Sequence, residues 1–368
     1  MNFNCDKNIV LKAISIAQEV ISSRNVLSIL SNVFLEASDG NLIIKSSDLK
    51  IGFETVIPIE LKKSGSITIY CEKFYEILKS LPDGEIEFEV DENENFYIRP
   101  VFKKINFNIK SIKTDKFPEI PEVSHDLYFE FPQRDLIEMI TNTIFAISED
   151  ETRFFMNGVY LEKTDDQLIM VASDGRRLSY ISRPINREIN DIKGIIIPPK
   201  ILNILKKLLP GEGNLYFSIT DKNIFVKYGT YKFFSNLIEG NFPNYNKVIP
   251  EKQDFSVVVD RKELENAIRR VSLMVEQKSR RLYLYIKNNT MIVSSEEVEI
   301  GMAKEEIQCE YQGEEVTIVL NYIYLLEPLK EMTEEKICIE FTNPEKTVTL
   351  KAIPDNKALH IVVPMQKK

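Results

Sequence analysis

Apolar residues recur along this chain in two rhythms, and the alternation between the rhythms itself repeats three times. Over 260–274, Leu264, Ala267, Ile268, Val271 and Met274 fall at helical spacing, which predicts one buried face of an amphipathic helix. Leu136, Met139, Ile140, Thr143 and Ile147 repeat that spacing after Pro132, a residue suited to a first helical turn. Val10, Ala13, Ile14, Ala17 and Ile21 give the earliest copy. Each stripe leads into a period-two pattern broken by a turn, which predicts a strand pair. The pairs are 32–37 with 41–46 around Ser38-Asp39-Gly40, 158–163 with 167–172 around Thr164-Asp165-Asp166, and 283–287 with 290–295 around Asn288-Asn289. A second helix is expected at 71–81, 199–209 and 320–332, the last carrying Pro328, which should kink or shorten it. Further alternating segments follow, as at 85–90 and 215–219.

Ser-acid pairs that close an apolar run start at positions 47, 173 and 295, spaced by roughly a third of the 368 residues, an ordinary domain size. The pattern predicts three copies of one unit, at 1–122, 123–252 and 253–368, joined through the Pro-bearing stretches 117–122 and 242–250. Helix, strands, helix, strands in each copy gives an α+β class, with two helices packed on mostly antiparallel sheet.

Four scattered cysteines without C-x-x-C spacing suggest neither a zinc site nor a disulfide framework. Two histidines disfavour a histidine-based triad or metal centre and leave carboxylate or lysine chemistry open. No basic leader precedes an apolar stretch, and nowhere do eighteen apolar residues run together, so a soluble intracellular protein is expected. The net charge of −9 argues against a nucleic-acid partner only as an average. Screening over about 8 Å lets a locally basic surface act alone. Such a surface is suggested by Lys73 and Lys79, then Lys200, Lys206 and Lys207, on the second helices, with Arg269 and Arg270 in the third copy. Helix by helix, a solvated face explains them better, because Glu19, Glu76 and Glu138 share those faces, and only the repetition favours a phosphate-facing surface.

Asp174-Gly175-Arg176-Arg177 admits two readings: a base with an anion clamp, or a strand-to-strand turn in which Gly175 permits unusual backbone angles. No second carboxylate or nucleophile is visibly paired with Asp174. The end of the chain, 359–368, is apolar almost throughout and reads either as a final edge strand or, through Pro364 and Met365, as a surface that accepts peptides.

The triple repeat, the stretch Ala172-Ser173-Asp174-Gly175-Arg176-Arg177-Leu178, the stretch Gly240-Asn241-Phe242-Pro243-Asn244-Tyr245 with Val248-Ile249-Pro250, and the ending Val362-Val363-Pro364-Met365 together resemble the bacterial DNA polymerase III beta subunit family, over the full length. The resemblance implies a DNA sliding clamp without enzymatic activity or cofactor, in which three clamp-type domains form half of a closed ring and a head-to-tail homodimer completes it. Double-stranded DNA would be encircled without regard to sequence. The replicative polymerase, the clamp loader and repair proteins would dock through short peptide motifs, in the cytoplasm and away from any membrane.

Carried over by residue, the peptide pocket between the second and third domains comprises Met156, Ser173, Gly175, Arg176, Arg177, Leu178, Pro243, Val248, Thr347, Ile361, Val362, Val363, Pro364 and Met365. Some members have His where Arg176 stands, and Arg where Lys247 and Gln366 stand. The same matching gives Arg24 and Phe155 as DNA contacts beside the lysines. It sets Lys103 and Lys104 at one dimer edge against Glu296, Glu297 and Glu299, with Glu305 and Glu306, at the other. Against this stand a carboxylate-dependent hydrolase using Asp174 and a scaffold that never meets DNA.

Overall fold

The computed structural model describes residues 1–21, 28–185, 192–297, 299 and 301–366. Six α-helices lie among them: α1 (Lys7–Val20), α2 (Cys71–Ser80), α3 (Gln133–Thr143), α4 (Pro199–Leu208), α5 (Arg261–Val271) and α6 (Tyr322–Glu331). The backbone divides into two compact units, Met1–Arg134 with Lys200–Leu237, and Asp135–Pro199 with Ile238–Lys368.

The first unit holds a five-stranded and an eight-stranded antiparallel sheet. In the smaller, Asn2–Asp6 and Glu85–Val90 are central and Phe107–Lys110 forms one edge. In the larger, the hairpin Asn32–Ser38 with Asn41–Ser47 alternates buried and half-buried positions, as its period of two requires. Helix α1 packs on α2 and on the strands Asn41–Ser47 and Ile51–Pro58. Phe3, Phe74, Phe88 and Phe96 are fully buried, with ring centroids 5.0–6.1 Å apart in stacked and edge-on pairs. Removing one such ring costs about 3–5 kcal/mol, so this quartet anchors the small sheet to α2.

The second unit is built on one twelve-stranded antiparallel sheet that begins at Ile195–Ile197 and ends at the edge strand Val316–Asn321. Leu264, Ile268 and Val271 of α5 and Leu325 and Leu329 of α6 fill its core with strand residues such as Leu282, Leu284 and Ile337.

One device recurs at the start of α1, α3 and α5. Lys7 is buried and its ammonium reaches the Leu81 carbonyl at 3.2 Å. Gln133 donates through Nε2 to the Asn214 carbonyl at 3.1 Å, and Arg261 through Nε to the Glu334 carbonyl at 2.9 Å and through Nη1 to the Leu329 carbonyl at 3.0 Å. Their backbone N–H groups bond the carbonyls of Gly84, Gly213 and Glu335. Each first helix is thus latched to the end of the second or the stretch after it, and Lys7 and Arg261 satisfy the carbonyls of Leu81 and Leu329 that the helix ends leave without partners. Asp6 and Asp260 cap α1 and α5 by accepting from backbone N–H groups of the first turn.

Two expectations are refined. Pro132 is the last residue of the strand Phe129–Pro132, directly before α3. Helix α6 contains Pro328 and still spans ten residues, the length of α2 and α4. The proline forfeits only the bond its own N–H would have made, while its carbonyl still accepts from the Met332 N–H at 3.0 Å.

The two units do not follow the three sequence copies, because sheets run on from one copy to the next. Ile51–Pro58 pairs with Tyr231–Asn236, and Arg177–Pro184 with Ala358–Val362. The final strand is therefore an interior one, flanked by Arg177–Pro184 and by Val348–Ile353, and not an edge.

Candidate functional site

Where Gln167–Ser173 turns into Arg177–Pro184, the sequence dictates the geometry. Asp174 Oδ1 accepts from the backbone N–H groups of Arg176 and Arg177 at 2.8 and 3.0 Å, and Ser173 Oγ donates to the Arg177 carbonyl at 2.7 Å. Gly175 takes φ +86°, and a Cβ there would stand 2.9 Å from Arg153 Nη1. The first copy has the same turn: Asp48 Oδ1 accepts from Lys50 and Ile51 at 3.0 and 2.9 Å, Ser47 Oγ donates to the Ile51 carbonyl, and Leu49 takes φ +73°. In the third copy, Ser295 Oγ accepts from the Ala303 N–H. The Asp174 carboxylate is spent on this turn and on Arg177 Nε at 3.1 Å, which leaves no oxygen placed as a general base.

Arg177 is the brace of the site. Its side chain, 10% exposed, bonds Asp174, Glu327 of α6 and the Phe145 carbonyl, and its guanidinium lies 4.6 Å from the Tyr324 ring centroid and 5.7 Å from that of Phe145. Burial raises the Tyr324 phenol pKa, with the Asp174 charge adding to the rise.

Beside the turn, the chain's end forms a wall. Leu178 pairs with Ile361 and Arg177 with Val362, and the Val363 N–H bonds the Arg176 carbonyl at 2.9 Å. Residues 363–366 then leave the sheet, and the Met365 N–H bonds the Val319 carbonyl at 2.8 Å. Leu178 and Ile361 share an apolar cluster with Ile169, Val171 and Tyr245, against which Phe242 and Ile249 pack. Phe242 stacks on Tyr160 at 4.9 Å. The Tyr245 hydroxyl donates to Glu162, and burial followed by that bond drives its pKa far up. Val248 stands exposed above this floor with its N–H on the Tyr245 carbonyl.

His360, fully buried between these strands, has Nδ1 3.0 Å from Ser179 Oγ, and burial lowers its pKa to about 3. The imidazole is therefore a neutral core group.

Of the expected pocket residues, Ser173, Gly175, Arg176, Arg177 and Leu178 come together with Ile361, Val362 and Val363, and Pro364 and Met365 continue that wall. Pro243 follows Phe242 on the floor, and Thr347 precedes Val348, which pairs with Val362. Met156 is buried, its carbonyl accepting from Ser148. Sequence reasoning missed Tyr324, Glu327, Phe145 and Tyr245, which hold the site in shape. Tyr245 stood inside a quoted motif, whereas the other three carry no local signal.

The expected DNA contacts are mixed. Lys73 pairs with Glu76 at 2.6 Å, Lys79 lies 5.9 Å over the Tyr75 ring, and Lys207 pairs with Glu19 at 3.1 Å; all three are exposed. Lys206 is half-buried. Lys200 is committed inward, to Asp48 at 2.7 Å and to the Val20 carbonyl. Phe155 is half-buried beside the exposed Phe154, and Arg24 lies outside the described residues. Arg269 and Arg270 are held by Glu265 and Glu305.

At the expected dimer edges, Lys103 and Lys104 are exposed just before the edge strand Phe107–Lys110. Glu296 is half-buried, 3.8 Å from Arg281, and Glu297 and Glu299 are exposed. Two large exposed apolar side chains went unread: Phe102, next to Lys103 and 83% exposed, and Leu273, just after α5 and 81% exposed. No helix of the described residues is long and apolar enough to cross a membrane.

Models of the DNA polymerase III beta subunit match in three consecutive pieces: its N-terminal domain over residues 1–121, its central domain over 130–244 and its C-terminal domain over 246–366. The chain is similar to the beta sliding clamp of Treponema pallidum, with 43% identity over 370 residues, and to that of Escherichia coli, with 27% over 369, covering all of each. Among solved structures it resembles the DNA polymerase sliding clamp of Bacillus subtilis, with a TM-score of 0.94 and 27% identity. It also resembles the sliding clamp of Pseudomonas aeruginosa bound to griselimycin, at 0.93 and 28%, again over the full length of both chains.

Proposed function

This chain belongs to the DNA polymerase III beta subunit family, and on that premise we propose how its residues do the work of a sliding clamp. It is a processivity factor and not an enzyme: a ring-shaped homodimer encircles duplex DNA and tethers the replicative polymerase, the clamp loader and repair proteins. Its place of work is the cytoplasm, with the chromosome.

The pocket is read at the turn 173–177 and the chain's end. The observation that carries this is the pairing of Ala358–Val362 on Arg177–Pro184, which sets a polar turn beside an apolar floor. Such a slot buries apolar side chains of a short peptide while a few polar groups fix its direction. The griselimycin bound by the Pseudomonas relative is read as a ligand of the same slot here.

DNA contact is assigned to the exposed Lys73, Lys79 and Lys207, with Lys206 and Phe155. Their neighbouring carboxylates keep the grip weak, as a sliding ring needs, and point charges on phosphates read no sequence. Lys200 serves chiefly to hold Asp48. The dimer is assigned to the edge strand Phe107–Lys110, with Lys103, Lys104 and Phe102, meeting the Glu296–Glu299 segment and Leu273 of the partner subunit. An exposed apolar side chain on each edge, with lysines on one edge and glutamates on the other, suits such a seam. Domain bounds near 1–122, 123–252 and 253–368 follow the repeat.

The test is retention on DNA. Protein placed by a clamp loader on nicked circular plasmid should stay bound through gel filtration and be lost once the plasmid is linearised. Equal retention on both forms overturns encirclement.

A further inference from the structure

A groove of about 990 Å³ opens in the second unit beside the tail, along the edge strand Val316–Asn321. We infer that it binds an extended, basic peptide segment by strand addition. The inference builds on the peptide-capture reading, since Pro364 and Met365 wall both the groove and the proposed pocket.

The backbone supplies the first argument. In an antiparallel ladder the N–H and C=O of one residue point to the same side, and successive residues alternate. The Val319 carbonyl accepts from Met365, so Val319 faces away from its paired strand Arg281–Lys287. Thr317, two residues earlier, faces the same way, and its N–H and C=O look into the groove. The tail occupies one end of this edge and leaves the rest open to an incoming strand, the arrangement by which peptides extend sheets elsewhere.

Side chains supply the second argument. Phe255 is half-buried on the groove's wall, backed by the buried rings of Phe341, 5.6 Å away, and Tyr311, 6.2 Å beyond that. Glu314 and Glu345 are exposed at the rim, and Glu315 is already held by Lys287 at 2.7 Å. Among the described residues no Lys or Arg lines the groove. An alternating peptide therefore presents apolar side chains to the half-buried Phe255, Val316 and Met365, and cationic ones to Glu314 and Glu345. The occupant that fits is the basic flank of a partner whose core motif sits across the tail.

The probe is the fluorescently labelled hexapeptide Lys-Val-Lys-Val-Lys-Val, compared with Glu-Val-Glu-Val-Glu-Val, on the full-length protein. The lysine peptide should bind and the glutamate peptide should not. The double variant Glu314→Lys with Glu345→Lys should weaken the lysine peptide roughly tenfold or more. Thr317→Pro, which removes only an outward N–H, should do the same. Griselimycin binding should stay unchanged in both variants. Similar binding of the two hexapeptides, an effect of the double variant below twofold, or no binding at about 1 mM overturns the inference. Should griselimycin fail to bind the wild type, the pocket reading falls, while the hexapeptides still decide the groove.

Discussion

Replacing Arg177 by Met removes the fork that joins the turn, α6 and the Phe145 carbonyl while keeping most of the apolar stem. Breaking a fully buried ion pair by removing one partner costs about 3–5 kcal/mol. Here the stranded carboxylates of Asp174 and Glu327 keep 15% and 33% of their exposure, so water recovers part of that loss. Lost stacking on Tyr324 at 4.6 Å adds about 0.5–1 kcal/mol. The net expectation is a destabilisation of about 2–4 kcal/mol. Urea unfolding followed by fluorescence should show it as a midpoint lowered by about 1 M. Arg177→Lys should recover little, because an ammonium cannot span three acceptors in fixed directions. Griselimycin affinity should fall roughly tenfold, as the turn beside Val363 loses its brace. A midpoint change equivalent to less than about 0.5 kcal/mol, with unaltered ligand affinity, refutes the view that this network shapes the pocket.

His360 has a folded pKa of about 3, against about 6.5 when unfolded. Between those values only the unfolded chain takes up the proton, so its contribution to stability is complete above pH 6.5 and drains away as pH falls. The loss is about 2 kcal/mol at pH 5. His360→Gln should lack this share of the acid slope in urea midpoints measured from pH 7.5 to 5, and parallel slopes in the two proteins contradict it. Lys103→Glu combined with Lys104→Glu should loosen the homodimer, read as monomer by sedimentation at submicromolar concentration; unchanged mass rejects that edge. Deleting residues 363–368 removes the bonds to Arg176 and Val319 but no sheet strand. It should abolish griselimycin binding and leave the circular-dichroism melt within a few degrees. Unaltered ligand affinity argues against the wall.

Helices and hairpins were legible because their side-chain periods are local. The stripe at Leu264, Ala267, Ile268 and Val271 is buried as its spacing demands, and the turns at Asp39, Asp165 and Asn288 with Asn289 have the left-handed backbone that their residues favour. Strand pairing between copies was not legible. The choice of Arg177–Pro184 as neighbour to Ala358–Val362 depends on residues about half a chain apart, and no period marks it. Charges misled for a related reason. Lys200 and Lys207 sit on one helix with similar neighbours in sequence, yet one is tied to Asp48 and the other to an exposed glutamate. The ring of acceptors around Arg177 was equally hidden, because Phe145, Asp174 and Glu327 share only a location.

Strand Ala358–Val362 has a consequence for biosynthesis. It leaves the ribosome about half a chain later than Arg177–Pro184, so that strand waits with one flank bare until then. A polypeptide cut short before residue 358 presents a naked sheet margin there, which invites aggregation or degradation. One late strand thus closes a sheet that began to form long before it was made.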